Sequence, residues 1–350
     1  SSIDFGPVYP KQLSDTMNSL YNKQVPEISV LMSCYNAERW LAEAIESVLT
    51  QSFKDFEFII LNDGSSDSTS EIIAKYSMQD PRIVVIDKPN SGLADSLNRG
   101  IRKARGKWIA RIDADDICEV NRLKHQLAYI LKHQDTVLLG SGFVEIDHLG
   151  RFVKDHNYPL SHAKLVHRLE RHQAFFAHSS AFYKTSVVQA LGGYRICFKT
   201  AEDWDLWLRL SEMGKIGSIS APLVRIRKHK NQISLIESGR RQLLDAYAAT
   251  ISYFIRKLGG KDPVADENDI KVKQFFEWTE RQLSYKGIFD RRRAWSEART
   301  AYFAQDKPLT GIFIFGAKLV SSGHAIPLLN EKLFGTDLPK RLAKEWLKTT

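Results

Sequence analysis

The residues best placed to do chemistry form an acidic cluster, Asp113-Ala114-Asp115-Asp116, directly after an apolar run. Three carboxylates this close repel one another, and the arrangement costs free energy unless a cation or solvent relieves it. Hard divalent cations take oxygen ligands, and Mg²⁺ is commonly held by one or two carboxylates together with substrate phosphates. The cluster therefore predicts a divalent metal site. For such a triplet taken alone, a solvated acidic turn is an equally good interpretation.

Two further carboxylates could take part in the same chemistry. Asp63 stands in an Asn-Asp-Gly-Ser stretch and could accept a hydrogen bond from a base-ring N–H or a ribose hydroxyl. Asp203 opens an amphipathic segment and could be a general base, which must lie near the acceptor hydroxyl and be ionised at neutral pH. In isolation, a plain turn for Asp63 and a helix N-cap for Asp203 are the simpler interpretations.

Two other side chains carry weaker signals. His229 lies in the basic stretch 225–230, where it could contact a metal or a phosphate, although that stretch alone indicates a basic surface. Trp204 and Trp207 lie three residues apart on one predicted helix. They could form a platform for sugar stacking, but core packing is the favoured interpretation.

Alternating strands and helices must position these residues. Residues 28–32, 56–61, 83–86 and 108–112 are short apolar runs, and the segments between them have helical periodicity. This alternation predicts an α/β fold with a mostly parallel sheet and helices on both faces. Ligands of such sheets bind outside the carboxyl ends of the strands. The polar stretches 33–36, 62–64 and 113–116 should therefore meet at one edge.

The pattern is looser after residue 119. It predicts strand and turn at 137–144, a short strand at 179–183, a helix at 203–213 and a strand pair at 216–226 bent at Pro222. From about residue 236 the chain is helical, basic and rich in aromatic residues. We therefore predict an extension (1–26), a domain (27–235) with two halves (27–118 and 119–235), and a helical C-terminal region (236–350).

Composition bounds the partners and the compartment. A net charge of +9 and a pI near 9.3 favour anionic partners. There is no apolar run of the roughly 18 residues that a membrane-spanning helix needs, and no signal-peptide pattern. Three widely spaced cysteines favour a reducing compartment. These features predict a cytoplasmic protein, with peripheral attachment to the inner face of the cell membrane as an alternative.

A series of motifs lies between Ile28 and Ser234: Tyr35-Asn36, Asn62 to Asp67, Asn90 to Leu93 with Asn98 and Gly100, Asp113 to Asp116, His178 to Ser180, Gly192 to Tyr194, Glu202 to Trp207, and Arg227 to His229 with Ser234. In their order and spacing, these motifs resemble those of the family 2 glycosyltransferases, which have the GT-A fold, and in particular the bacterial polysaccharide-biosynthesis type. The resemblance implies that 27–235 is a catalytic domain with a nucleotide-sugar half (27–118) and an acceptor half (119–235).

The resemblance implies an inverting transfer of a sugar from a nucleotide diphosphate, with UDP favoured, to a hydroxyl of a glycan or lipid-linked glycan. Asp203 would be the catalytic base, and Asp115, Asp113 and His229 would hold Mn²⁺ or Mg²⁺, with Asp116 behind them. The residues implied to contact the nucleotide sugar are Ser33, Tyr35, Asn36, Glu38, Asp63, Asn90, Gly92, Asn98, Asp113, Ala114 and Asp115. Those implied to line the acceptor side are His178, Glu202 and Trp204.

One departure from the family pattern is the stretch Met32-Ser33-Cys34-Tyr35, where a Pro-Thr-Tyr stretch is common. It leaves the exact nucleoside contacts open.

Other classes of protein share single features of this sequence. A metal-dependent nucleotidyltransferase would also use carboxylates on an α/β sheet, but would usually carry a glycine-rich basic loop after the first strand. Basic charge alone would suit a nucleic-acid-binding protein, yet the predicted site is acidic and no nucleic-acid motif is present. An inactive scaffold is disfavoured because every expected acidic position is filled. The C-terminal region could contact an anionic membrane, form a homodimer or cover the catalytic domain.

Overall fold

The computed structural model describes residues 25–158, 161–173, 175–229, 239–266, 270–290 and 337–349. The strands are β1 (Ile28–Cys34), β2 (Phe56–Asp63), β3 (Ile83–Lys88), β4 (Trp108–Asp113), β5 (Ile117–Cys118), β6 (Thr136–Ile146), β7 (Phe152–His156), β8 (Phe182–Lys184) and β9 (Lys215–Arg227). The helices are α1 (Leu41–Leu49), α2 (Thr69–Gln79), α3 (Leu93–Lys103), α4 (Arg122–Lys132), α5 (His162–Glu170), α6 (Thr185–Ala190), α7 (Glu202–Met213), α8 (Arg240–Lys257), α9 (Ile270–Tyr285) and α10 (Leu338–Trp346). Most of the predicted extension (1–24), Ser234 and residues 291–336 lie outside this description.

The first four strands form the parallel part of the sheet, in the order β3-β2-β1-β4. Alternate residues of β1 point to opposite faces: Val30 and Met32 pack in one apolar cluster with Ile45 of α1, and Leu31 packs in the other with Leu97 of α3. A strand buried on both faces has no polar side, which is why β1, β2 and β4 appear as continuous apolar runs. The predicted parallel sheet with helices on both faces is confirmed.

The rest of the sheet continues through β8, β6, β9 and β5, and β7 pairs with the outer half of β6. The predicted strand pair at 216–226 was wrong. β9 is one strand, and Pro222 sits at a register irregularity opposite Gly142, because a bulge lets a strand continue past a proline. The predicted strand at 179–183 was displaced: residues His178–Ser180 form a 3₁₀ turn, and β8 begins at Phe182.

Helix α8 packs into the same apolar cluster as α7, the helix that begins with Glu202 and Asp203. Ion pairs reinforce this contact, since Arg256 binds Glu212 at the end of α7, and Asp262, just after α8, binds Arg195. The first helix of the predicted C-terminal region thus shares a core with the helix of the predicted base. Among the described helices, none has the length and apolar composition to cross a bilayer.

Candidate active site

The three polar strand ends meet at one edge of the sheet, as predicted. Ser33 of β1 stands beside both Leu61 of β2 and Asp113 of β4 in the strand register, and Asp63 of β2 stands beside Lys88 of β3. Because neighbouring strands lie about 4.8 Å apart, the ends of β2 and β4 are about 10 Å apart. That spacing suits an extended ligand lying across the edge.

The acidic cluster after β4 is tightly grouped. Asp113, Asp115 and Asp116 each offer a carboxylate oxygen within 4.8 Å of the others. Asp116 is buried, and its carboxylate accepts hydrogen bonds from Ser179 Oγ at 2.5 Å and from the Arg227 N–H at 2.8 Å. Burial, with the charges of its two acidic neighbours, raises the pKa of Asp116 well above its ordinary value. Asp116 therefore holds the turn, and Asp113 and Asp115 are the more open carboxylates.

Arg111 lies under the cluster, and it is not among the site residues predicted from the sequence. Its guanidinium binds the Asp113 carboxylate with two nitrogens, one of them at 2.5 Å, and also donates to Ser179 Oγ at 3.0 Å. The side chain is buried although it belongs to the apolar strand Trp108–Asp113. An arginine inside an apolar strand is the signal that could have found it, since buried charges are normally paired.

His229 joins the cluster from the end of β9. Its Nε2 lies 2.8 Å from Asp115 Oδ2, and its Nδ1 is buried and has no hydrogen-bond partner among the residues that the structure describes. Carboxylate oxygens with one imidazole suit Mg²⁺ or Mn²⁺, which favour oxygen-rich sites. Asp115 and His229 therefore fit a divalent cation, and Asp113, in its ion pair with Arg111, is the less available of the three predicted ligands.

Glu202 and Asp203 are the first two residues of α7. Ala201 occupies the N-cap position, so the N-cap interpretation of Asp203 is wrong. Burial raises the pKa of Glu202 to about 8, helped by the charge of Asp203. Burial also raises the pKa of Asp203, against the lowering effects of the Trp204 N–H and the Arg111 charge. Both carboxyl groups are therefore harder to ionise than ordinary ones, and they titrate as one coupled pair in which Glu202 keeps its proton to near-neutral pH.

The charges of Arg111 and Asp113 act on both Asp203 and Glu202, so the predicted base lies within electrostatic range of the acidic cluster. His178 borders the same space, with its Nε2 2.7 Å from the Tyr194 hydroxyl. Desolvation and the charge of Arg111 lower the pKa of His178 well below its ordinary value, so its ring is neutral at neutral pH. The arrangement brings together the candidate cation site, the Glu202–Asp203 carboxyl groups and the neutral imidazole of His178.

Trp204 contributes to packing. Its indole N–H donates to the Leu169 carbonyl at 3.2 Å, and its ring lies 5.9 Å from His172 and 6.2 Å from Phe175. Because the indole donor is already used, these contacts agree with the favoured interpretation that Trp204 and Trp207 are core residues. The predicted acceptor-side contact of Trp204 stays a prediction.

In the nucleotide half, Asp63 is buried and already bonded. Its carboxylate accepts hydrogen bonds from the N–H groups of Ser91 and Gly92, both at 2.9 Å, and it forms an ion pair with Lys88. These contacts hold the loop that carries Asn90 and Gly92 against the strand end. In this structure Asp63 shapes that loop, so the predicted contact with the base requires an oxygen that is already partly engaged.

Other predicted donor contacts join two loops. Asn36, at a positive φ of 48°, accepts a hydrogen bond from the Ser66 N–H, and Glu38 accepts one from the Ser68 N–H at 3.0 Å. Tyr35 beside them is 56% exposed and open to a ligand. Ser33 is partly exposed and Ala114 is buried. These residues therefore form the loops at the carboxyl ends of the parallel strands.

Asn98, a predicted nucleotide-sugar contact, is hydrogen-bonded within the protein. It is buried, its Oδ1 accepts the Tyr194 N–H at 2.7 Å, and its Nδ2 donates to the Tyr194 carbonyl at 2.7 Å. A paired amide of this kind fixes α3 to the turn before Tyr194. Both amide groups of Asn98 are thus already engaged, and its contact with the nucleotide sugar stays a prediction.

A curled sheet with carboxylates at the end of its fourth strand is the architecture of a GT-A glycosyltransferase. Comparison with known proteins agrees: residues 29–192 match the profile of glycosyl transferase family 2. The chain is 37% identical over 212 residues to the putative glycosyltransferase EpsE of Bacillus subtilis, covering 58% of this chain and 73% of that protein. It is 31% identical over 234 residues to the O-antigen biosynthesis glycosyltransferase WbnJ of Escherichia coli, covering 66% and 88%.

Solved structures share the fold at lower sequence identity. TarS 1-349 of S. aureus superposes with a TM-score of 0.56 at 18% identity, over 92% of each chain. The mannosyltransferase PcManGT of Pyrobaculum calidifontis gives a TM-score of 0.50 at 15% identity, over 92% of this chain and 94% of that one. The chain belongs to the family 2 glycosyltransferases.

Proposed function

We propose that this glycosyltransferase moves a sugar, with inversion, from a nucleotide diphosphate sugar to a hydroxyl of a glycan or lipid-linked glycan in polysaccharide biosynthesis. The observation that carries the proposal is the grouping of Asp113, Asp115 and His229 beside the Glu202–Asp203 pair. Such a site would hold a cation for the diphosphate within range of a carboxylate that can accept a proton. Both are needed, because breaking the sugar–phosphate bond leaves negative charge and the attacking hydroxyl must lose a proton.

The residues divide the work between leaving group and nucleophile. A divalent cation at Asp115 and His229, with Asp113 beside it, would offset the charge that develops on the diphosphate. Asp203 accepts the proton of the acceptor hydroxyl, which attacks C1 from the face opposite the diphosphate. Glu202, whose pKa is raised to about 8, would hold the proton of this pair, so that Asp203 can accept the one from the hydroxyl. A single carboxylate acting in one displacement supports inversion.

The relatives support a UDP-sugar as donor. TarS 1-349 was solved in complex with UDP-GlcNAc and also with UDP. PcManGT was solved with GDP-Man and Mn²⁺, which supports a metal but shows that the fold also accepts another nucleotide. The role of WbnJ in O-antigen biosynthesis supports a glycan acceptor. We therefore propose UDP as the nucleotide and Mn²⁺ or Mg²⁺ as the cation.

A panel of nucleotide sugars tests the proposal, with nucleotide release measured with and without EDTA. We expect release of UDP from one UDP-sugar, loss of release with EDTA and its return with Mn²⁺. Chromatography of the product separates the nucleotidyltransferase alternative, which would release pyrophosphate. Release that is unaffected by EDTA would refute the metal, and release from GDP-sugars alone would refute UDP.

The place of the reaction also stays a proposal. We propose a cytoplasmic site of action, with peripheral contact between the basic C-terminal region and the inner face of the cell membrane. The alternative roles of that region are a homodimer contact and packing against the catalytic domain, as α8 packs against α7. Flotation of the full chain with anionic liposomes tests membrane contact, and light scattering tests the dimer. A monomer that stays at the bottom of the gradient would refute both.

A further inference from the structure

Arg227, the last residue of β9, is almost completely buried. Its side chain is only 2% exposed, although arginine is rarely buried without a defined set of partners. The resemblance to known glycosyltransferases assigns a role to His229, two residues later, and none to Arg227. The contacts of Arg227 show what a buried guanidinium does at this position.

The guanidinium reaches three separate segments of the chain. Nη2 donates to Glu43 Oε2 on α1 at 2.6 Å, and Nε donates to the Asp115 carbonyl at 3.0 Å. Nη1 lies 3.5 Å from the carbonyl of Asp147, in the turn between β6 and β7. An arginine side chain can do this because its donors point outward in a rigid planar fork, whereas lysine offers one nitrogen on a flexible stem.

The Arg227 backbone and the His229 side chain also contact the Asp115–Asp116 turn. Its N–H donates to Asp116 Oδ1 at 2.8 Å, and His229 Nε2 lies 2.8 Å from Asp115 Oδ2. The end of β9 therefore grips the Asp115–Asp116 turn through a side chain, a backbone N–H and an imidazole. A displacement of Arg227 would move the Asp115 carbonyl and the His229 ring together.

Trp40, just before α1, supports these residues from the nucleotide half. Its ring centroid lies 4.3 Å from that of His229 and 5.5 Å from the guanidinium carbon of Arg227. Glu43, the ion-pair partner of Arg227, lies three residues further on the same segment. The start of α1 thus packs against the His229 ring and neutralises Arg227 at the same time.

We propose that Arg227 is a positioning residue for the divalent cation. By joining Glu43 of α1 to the Asp115 carbonyl, it holds the Asp115 carboxylate and the His229 ring in the arrangement that binds the cation. The inference rests on the proposed function, because the cation is the one proposed for the transfer. Residues that orient metal ligands without touching the metal commonly change metal affinity by about 10- to 100-fold.

The test compares Mn²⁺ binding by the full chain, in the presence of UDP, from the electron paramagnetic resonance signal of free Mn²⁺. Arg227→Lys keeps the charge and loses the fork, and we expect about 10-fold weaker binding. The matched control is Arg225→Lys on the same strand, whose ion pair with Glu119 at 2.6 Å is partly exposed. We expect the control to bind Mn²⁺ as the unmodified chain does.

A second variant makes the test independent of how well Arg227→Lys folds. Glu43→Gln removes the charge that pairs with Arg227 from a side chain that is 55% exposed, so the fold should survive. We expect several-fold weaker Mn²⁺ binding, and a double variant whose loss is smaller than the product of the two single losses, because both break one contact. A double variant that shows the full product would contradict the proposed link.

Thermal unfolding without Mn²⁺ separates positioning from a purely structural role. A lower unfolding temperature with unchanged Mn²⁺ affinity, in Arg227→Lys or in Glu43→Gln, would overturn the inference. Equal weakening in the Arg225→Lys control would overturn it as well. If the unmodified chain binds UDP but no Mn²⁺, the proposed metal fails and the inference fails with it. If the unmodified chain binds Mn²⁺ and both variants match it, only the inference fails.

Discussion

Replacing Asp203 by Asn separates the proposed chemistry from the stability of the fold. The change removes the carboxylate that would accept the proton of the acceptor hydroxyl, and it hardly alters the size of the side chain. General-base assistance is worth about 10²- to 10⁴-fold in rate. At about 1.36 kcal/mol for each factor of ten, this is about 2.7–5.4 kcal/mol of activation free energy. We expect the rate of transfer to fall by that factor.

The same substitution should leave the fold at least as stable as before. Burial raises the pKa of Asp203, so folding disfavours its charged form. The stability contributed by this group is therefore highest at low pH, and it falls as the pH rises from the unfolded pKa to the folded pKa. An amide at this position removes that dependence. We accordingly expect no decrease in the free energy of unfolding at neutral pH.

Asp205, two residues further along α7, provides a matched control. Its buried carboxylate accepts hydrogen bonds from Arg209 Nε at 2.8 Å and from Arg195 Nη1 at 3.4 Å. Removing one partner of a buried ion pair costs about 3–5 kcal/mol. Asp205→Asn should therefore lower the free energy of unfolding by about 3 kcal/mol and leave the turnover of the folded molecules close to that of the unmodified chain.

Initial rates of nucleotide release, with urea unfolding followed by tryptophan fluorescence, distinguish the two variants. The reasoning is wrong if Asp203→Asn retains turnover within about tenfold of the unmodified chain, which is less than the smallest general-base effect. It is also wrong if Asp205→Asn loses as much turnover per folded molecule as Asp203→Asn does. The two measurements are independent, so an unfolded variant cannot be mistaken for an inactive one.

Three further outcomes follow from particular residues. Asp115→Ala should weaken Mn²⁺-dependent binding of UDP by at least about 10-fold in isothermal titration, and unchanged binding would remove it as a ligand. Gly106→Ala should lower the free energy of unfolding by about 1–3 kcal/mol, because a Cβ there would lie 2.4 Å from the backbone nitrogen of Ser29; an unchanged urea midpoint would contradict this. Burial lowers the pKa of His172 to about 4, so stability should fall as the pH drops from about 6.5 towards 4, by up to about 1.4 kcal/mol per pH unit. His172→Gln should flatten that fall in urea unfolding at several pH values, and an equally steep fall would exclude His172 as its source.

Strands β1, β2 and β4 could be predicted because each is buried on both faces, so that consecutive residues along it are apolar. The edge at which Asp63 and Asp113 lie followed from the same reasoning, since the carboxyl ends of parallel strands share one side of a sheet. The outer strands could not be predicted as well. β9 passes Pro222 through an irregularity opposite Gly142, and such a bulge depends on the partner strand.

The amino-acid sequence by itself determined the class of the protein and the residues around which its chemistry is proposed, because the carboxylates and the turns that carry them are local features of the chain. Only the tertiary structure decided which of those groups are already engaged, as Asp63 is with Lys88 and Asn98 is with the Tyr194 backbone. It also buried Arg111 beneath the acidic cluster and brought Arg227 to that cluster from the end of β9. Partners far apart in the chain leave no local pattern, and burial, which makes such charges effective, exists only once the chain has folded.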